Sequence, residues 1–181
     1  MSKKLWEASQ TKKKYSNLYK YEKFLSKKYN LNIKQNYSRI LKWTINNPNK
    51  FWSSIWDFAG VKGIKKEKSY LSKILFKSKF LINSELNFAE NLLSKNDNSK
   101  AITFISENGY REVRSWKDLN LNVNKIANFI KKINIKENDR VAAYLPNLIE
   151  TVEAFIATTS LGAIWSSCSP DFGVEGVIER F

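Results

Sequence analysis

Residues 139–147 read Asp-Arg-Val-Ala-Ala-Tyr-Leu-Pro-Asn, and residues 162–173 read Gly-Ala-Ile-Trp-Ser-Ser-Cys-Ser-Pro-Asp-Phe-Gly. Each stretch contains a short apolar run bounded by turn-forming residues, a pattern that predicts strands over 140–145 and 163–168. Between them, residues 148–161 are apolar at helical spacing, and Gly162 ends that segment. A strand, a helix and a second strand predict a βαβ unit with parallel strands. The predicted fold class is therefore α/β.

A hairpin and a helix are predicted just before this unit. Residues 101–105 and 110–114 are strand-like, and the Asn-Gly pair between them suits a tight turn. Ser115 followed by Asp118 resembles a capping box, which predicts the start of a long helix. Because residues 95–100 are polar and rich in Asn and Ser, we place a domain boundary there and predict a second domain over 96–181.

The first part of the chain, residues 1–95, is predicted to be a helical extension. Apolar residues recur at helical spacing within 15–29 and again over 37–45. Asn47 before Pro48 predicts a capped helix that ends at Gly60. This helix has a strongly aromatic face, which we expect to dock on a larger partner.

Charge is distributed unevenly along the 181 residues. The net charge is +14, but residues 1–80 contain twenty Lys or Arg against four Asp or Glu, and the rest contain eleven against thirteen. Three interpretations stay open: a solvated basic surface, a nucleic-acid footprint, or attraction of a polyanion such as a nucleotide or CoA. Because no RNA-binding or helix-turn-helix motif is present, the sequence favours no nucleic-acid partner.

Several classes of site are excluded by composition. Cys168 is the single cysteine and histidine is absent, which excludes disulfides, Cys/His zinc sites, Ser-His triads and Cys-His dyads within this chain. Without a base, Cys168 is predicted to be a small buried residue. Residues 1–6 lack a signal-peptide run and no stretch of about 18 apolar residues occurs, so we predict a cytoplasmic protein without a membrane partner.

The residues after the second strand of the βαβ unit are the candidate ligand site. Ligands of α/β sheets bind beyond the carboxyl ends of the strands, and here that place is occupied by residues 166–173. They are either a hydrogen-bonded turn, with Ser169 or Asp171 capping the next helix, or a ligand-contacting loop. The six glycines fit no Walker, dinucleotide or nucleophile-elbow pattern, so catalysis is not predicted within this chain.

Three motifs resemble those of one family. In order they are residues 86–93 (Leu-Asn-Phe-Ala-Glu-Asn-Leu-Leu), residues 139–147 and residues 162–173. Together they resemble the adenylate-forming acyl-CoA synthetases, and the Trp-Ser-Ser-Cys-Ser-Pro-Asp-Phe-Gly stretch is similar to the acetoacetate-CoA ligase branch. Residues 5–7 and the helix at 51–60 resemble the amino-terminal extension of acetyl-CoA synthetase relatives. The resemblance implies that residues 96–181 begin an AMP-binding (adenylation) domain.

This resemblance implies ATP-dependent activation of acetoacetate through an acyl-adenylate, with ATP, CoA and Mg²⁺ as the ligands of the parent protein. It further implies that Ser166 and Ser167 lie near CoA, that no catalytic or metal-binding residue lies in this chain, and that the phosphate loop lies beyond Phe181. We therefore expect an inactive amino-terminal fragment whose partner is the remaining carboxy-terminal part of the polypeptide. Alternatives are another short-chain acyl-CoA synthetase, a basic nucleic-acid-binding module and a helical interaction domain.

Overall fold

The computed structural model of the protein describes residues 5–33, 36–69, 71–72 and 74–181. The first four residues of the predicted extension lie outside this description. The chain divides into two compact units, Met1–Glu85 and Leu86–Phe181, whereas the sequence places a boundary after residue 95. The second unit begins earlier because a short helix, α5 (Phe88–Leu92), contributes Ala89 to its core.

The first unit is helical, as the sequence predicts. Its helices are α1 (Gln10–Tyr15), α2 (Asn17–Tyr29), α3 (Tyr37–Asn46) and α4 (Pro48–Ala59). Gly60 follows α4 in the left-handed conformation, which glycine adopts without steric cost. The predicted ends of α4 are therefore confirmed.

The aromatic face of α4 packs within its own unit. Phe51, Ile55 and Phe58 lie against a buried cluster that includes Tyr21 and Leu25 of α2. The Tyr21 hydroxyl also makes a buried 2.6 Å hydrogen bond with Ser54 Oγ of α4. The expectation that this face docks on a larger partner is wrong, because α2 and α3 supply the apolar residues that cover it.

Asn47 does not cap α4 in the predicted way. Its side chain makes no capping hydrogen bond to α4; its Nδ2 instead donates to the Trp43 carbonyl, 3.1 Å away in α3. The reason is that α3 ends at the residue before Asn47, so the Trp43 carbonyl in its last turn lies within reach of both the backbone N–H and the side-chain amide of Asn47. Pro48, which has no N–H to satisfy, begins α4 without that cap.

Residues 61–85 are mostly irregular. They contain a 3-10 turn (Leu75–Lys77) and a bridge between Ile64 and Glu85.

Lys65 and Lys28 both contact the Asp57 carboxylate of α4, with Lys65 Nζ 2.7 Å from Oδ1. Hydrogen bonds from Lys28 and then Lys65 lower the pKa of Asp57 below its ordinary value.

The second unit begins with the predicted hairpin. Strands β1 (Lys100–Ile105) and β2 (Arg111–Ser115) pair antiparallel, and Gly109 in the turn has a φ of +83°. Ser115 Oγ accepts the Asp118 N–H at 3.1 Å and begins α6 (Trp116–Lys132). The predicted cap is confirmed.

The βαβ unit follows. Strand β3 (Arg140–Tyr144), helix α7 (Ile149–Ser160) and strand β4 (Ile164–Cys168) are joined so that the strands pair in parallel. A final helix, α8, spans Val174–Arg180. Helices α5, α6 and α7 share an apolar core of seven buried residues: Ala89, Leu119, Val123, Ala127, Ile130, Ile156 and Ala157. The predicted α/β fold class is confirmed.

Two polar contacts tie distant parts of this unit together. Arg114 Nε of β2 lies 2.9 Å from Glu153 Oε1 of α7, and Glu153 is 2% exposed. That N–H is not aligned for a hydrogen bond, so the contact is an ion pair. Asn122 of α6 donates to the same carboxylate oxygen at 2.9 Å.

Asn87 joins the ends of two helices. Its Oδ1 accepts the Glu90 N–H at 3.1 Å and caps α5. Its Nδ2 donates to the carbonyls of Thr159 and Ser160 at 3.0 and 3.2 Å, where α7 ends. One side chain therefore caps the start of α5 and also donates to the carbonyls at the end of α7.

Candidate functional site

The carboxyl ends of β3 and β4 form the candidate site. Tyr144 and Cys168 are the last paired residues, and the Leu145 N–H continues the ladder to the Cys168 carbonyl at 3.2 Å. Pro146 and Pro170 follow shortly after the two strands, and neither has a backbone N–H that could extend the ladder. This is the edge where ligands of α/β sheets bind.

Ser166 and Ser167 lie within β4 rather than in a loop. Successive strand residues point to opposite faces of a sheet. Ser167 Oγ accepts the Trp165 Nε1–H at 3.1 Å, and the Trp165 ring contacts Phe155 of α7. Ser167 thus lies on the face covered by α7, while Ser166 lies on the opposite face. A single ligand on one face can contact only one of the two hydroxyls, and their role near CoA stays a prediction.

A cleft of about 380 Å³ lies beside Ser166. Arg140 and Arg180 line it together with the apolar side chains of Val141 and Ile164. Two guanidinium groups can bind an anionic group through charge-assisted hydrogen bonds. This cleft is suited to binding rather than to covalent chemistry, because the nucleophilic side chain that lines it is Ser166 and serine alone is a weak nucleophile.

Cys168 is 6% exposed and lies at the end of β4. The prediction of a small buried residue is confirmed. With no histidine in the chain, no imidazole base is available to activate its thiol.

The loop after β4, residues 169–173, is a hydrogen-bonded turn. Ser169 Oγ donates to Asp171 Oδ2 at 2.7 Å, and the Phe172 N–H donates to the Ser169 carbonyl at 3.1 Å. One interpretation of the sequence expected Ser169 or Asp171 to cap α8. Neither side chain does so. Gly173 occupies the N-cap position, because the turn places the two polar side chains against each other and ahead of the helix.

Tyr144 is a residue of this site that the sequence did not identify. Its hydroxyl lies 2.7 Å from the Pro170 carbonyl oxygen and 3.1 Å from that of Phe172. A tyrosine at a strand end is common, and only the parallel pairing of β3 with β4 brings it to this loop. No local pattern in the sequence indicates such a contact.

The described residues form no site for Mg²⁺, and the sequence has no loop of the kind that binds the triphosphate of ATP. Within the described ranges, no group of three or more His, Cys, Asp or Glu side chains could hold a metal ion. The sequence also contains no Gly-rich phosphate loop. No step involving these ligands can therefore be assigned to residues of this chain.

Comparison with known proteins gives the family. The AMP-binding enzyme family matches residues 90–180, about half of the chain. This chain belongs to that family. The matched residues include β3, β4 and the loop 169–173, so the candidate site lies within the AMP-binding region.

Two curated relatives share the sequence beyond the AMP-binding match. The chain is 39% identical over 155 residues to an acetoacetyl-CoA synthetase of Xenopus tropicalis, covering 81% of this chain and 22% of that protein. It is 37% identical over 146 residues to an acetoacetyl-coenzyme A synthetase of Rhizobium meliloti, covering 80% of this chain and 22% of that protein. This AMP-binding family member thus spans about a fifth of the length of these relatives.

A solved structure has the same fold. The acetoacetyl-CoA synthetase from Streptomyces lividans matches with a TM-score of 0.88 over 99% of this chain and 28% of that protein, at 22% sequence identity. Both units are included in this match, so the helical first unit is part of the shared fold.

In the described part of the chain, no helix is both long and apolar enough to cross a membrane.

Proposed function

We propose that this chain is the amino-terminal part of a cytoplasmic ATP-dependent ligase that converts acetoacetate to acetoacetyl-CoA. Residues 1–95 would be its helical extension, and residues 96–181 the beginning of its adenylation domain. The observation that carries this proposal is the 39% and 37% identity to two proteins named as acetoacetyl-CoA synthetases, each over about four fifths of this chain. The shared fold with a third such protein supports it.

The proposed reaction has two steps. The acetoacetate carboxylate attacks the α-phosphate of ATP, which forms acetoacetyl-adenylate and releases pyrophosphate. The CoA thiol then attacks the acyl carbon, which forms the thioester and releases AMP. This chain would contribute the face of β4 on which Ser166 or Ser167 approaches CoA, whereas ATP and Mg²⁺ would be bound by residues outside it.

The isolated 181-residue chain is expected to be inactive. It lacks a Gly-rich loop that could bind the triphosphate through backbone amides, and its described residues offer no metal site. Without these groups, the charge that develops on the phosphates during adenylation has no stabilising partner.

The test is to express the complete open reading frame that contains this sequence and to assay ATP- and CoA-dependent consumption of acetoacetate. Acetate, propionate and butyrate serve as competing substrates, and the 181-residue chain is assayed in parallel. We expect acetoacetate-selective turnover by the complete product and none by the chain alone. Preference for another acid would refute acetoacetate as the substrate, and acetoacetyl-CoA formation by the chain alone would refute its expected inactivity.

A further inference from the structure

The loop 169–173 is exposed at the surface and yet fixed by contacts from two other elements. Within this chain Pro170, Asp171, Phe172 and Gly173 are all exposed, so burial within its second unit does not determine their conformation. From β3, the Tyr144 hydroxyl reaches the carbonyl oxygens of Pro170 and Phe172. A phenol has one hydrogen, so the 2.7 Å contact to Pro170 is the stronger bond and the 3.1 Å contact shares the same proton.

Helix α8 restrains the loop from the other side. The Arg180 guanidinium lies 4.9 Å from the centre of the Phe172 ring. A Cβ atom at Gly176 would lie only 3.1 Å from Phe172 Cδ1, so glycine permits this close approach. The ring therefore contacts the face of α8 that carries Gly176 and Arg180.

We propose that Tyr144 is a positioning residue for the thioester-forming step, acting through the loop 169–173. This inference rests on the proposed ligase function. The loop lies at the carboxyl edge of the parallel strands, directly after the serines proposed to approach CoA, and its conformation there depends on a hydroxyl from the neighbouring strand. A loop that is prearranged in this way binds its ligand without first becoming ordered.

Tyr144→Phe in the complete protein tests the inference, because it removes the hydroxyl and leaves the ring. Tyr110→Phe is the matched control: its hydroxyl also makes one hydrogen bond on the surface of the same unit, to Glu112 Oε2 at 3.2 Å. The two tyrosines are 49% and 55% exposed. Both variants should fold, and near-unchanged far-ultraviolet circular dichroism checks this.

We expect Tyr144→Phe to raise the KM for CoA about fivefold, the effect of one lost hydrogen bond, with kcat changed less than twofold. Acetoacetate-dependent exchange of pyrophosphate into ATP does not involve CoA and should keep its rate. The amide protons of residues 171–173, measured by NMR in the 181-residue chain, should exchange about fivefold faster. Tyr110→Phe should change none of these quantities.

An unchanged KM for CoA in Tyr144→Phe would overturn the positioning role while leaving the ligase function intact. So would a fall in the rate of pyrophosphate exchange as large as the rise in the KM for CoA. Absence of both exchange and ligase activity in the unaltered protein would instead refute the proposed function itself. Unchanged amide exchange in the loop would show that the hydroxyl does not fix its conformation, whatever the activity, and would overturn the inference as well.

Discussion

Replacing Asn87 with alanine should destabilise the second unit by about 2–3 kcal/mol. The change removes the cap of α5, which is worth about 1 kcal/mol, and the two donor contacts to the end of α7, which together add a further 1–2 kcal/mol. Alanine cannot replace any of the three contacts, and the carbonyls of Thr159 and Ser160 lose a donor where α7 ends.

Asn87→Asp separates the two roles of this side chain. Aspartate still accepts the Glu90 N–H and suits the positive end of α5, but it cannot donate to α7 and places a negative charge beside the negative end of that helix. We therefore expect a loss of about 2 kcal/mol in spite of the retained cap. A neutral cap such as serine should keep the hydrogen bond that caps α5. Like alanine, it should lose the contacts to the end of α7.

Urea unfolding followed by tryptophan fluorescence and circular dichroism measures these differences, with Trp116 and Trp165 reporting on the second unit. The control is Asn124→Ala in the exposed face of α6, which should change stability by about 0.5 kcal/mol or less. A loss below about 0.5 kcal/mol in Asn87→Ala, or wild-type stability in Asn87→Asp, would refute the double capping role.

Two further predictions concern charge. Arg114→Met should destabilise the second unit by about 3–5 kcal/mol because it leaves the Glu153 carboxylate buried without its cation. Adding Glu153→Leu should recover at least about 1 kcal/mol of that loss. Urea denaturation of both variants checks this, and a double variant as unstable as the sum of the two single changes would contradict it. Asp57→Asn should destabilise the first unit by about 0.5–1 kcal/mol near neutral pH, since the carboxylate is one-third exposed. Because folding lowers the pKa of Asp57, the stability that its carboxylate contributes is complete above the unfolded-state pKa and disappears as the pH falls through the folded-state pKa. Thermal unfolding should therefore give equal stability for wild type and variant at sufficiently acidic pH. A difference in stability that persists there would contradict the ion-pair account.

Local patterns predicted the elements well because they depend on neighbouring residues. The Asn-Gly turn, the Ser115 cap and the Pro48 and Gly60 ends of α4 act within one turn of chain, and each is at its predicted place. Asn47 shows the limit of such reasoning, because its side chain donates a hydrogen bond to the preceding helix instead of capping α4.

The candidate site was predictable only in outline. Its place at the end of β4 follows from the βαβ pattern, and the predicted strand 163–168 already contains Ser166 and Ser167, although the ligand-contacting segment was predicted to begin at Ser166. Their pairing with Ala142 and Ala143 makes them strand residues on opposite faces. Tyr144 and its loop are separated by 26 residues along the chain for the Pro170 contact, a distance that no local pattern can bridge.

The parallel pairing of β3 and β4 also bears on the order in which the second unit folds. In the β1–β2 hairpin, Ile105 pairs with Arg111 across a tight turn, whereas Arg140 must meet Ile164 across an entire helix. Closing the longer loop costs more chain entropy, so local pairing forms sooner. We expect pulse-labelled amide exchange during refolding to protect β1 before β4. The candidate site would then be among the last parts of the unit to form, and a refolding intermediate with a native hairpin would still lack it.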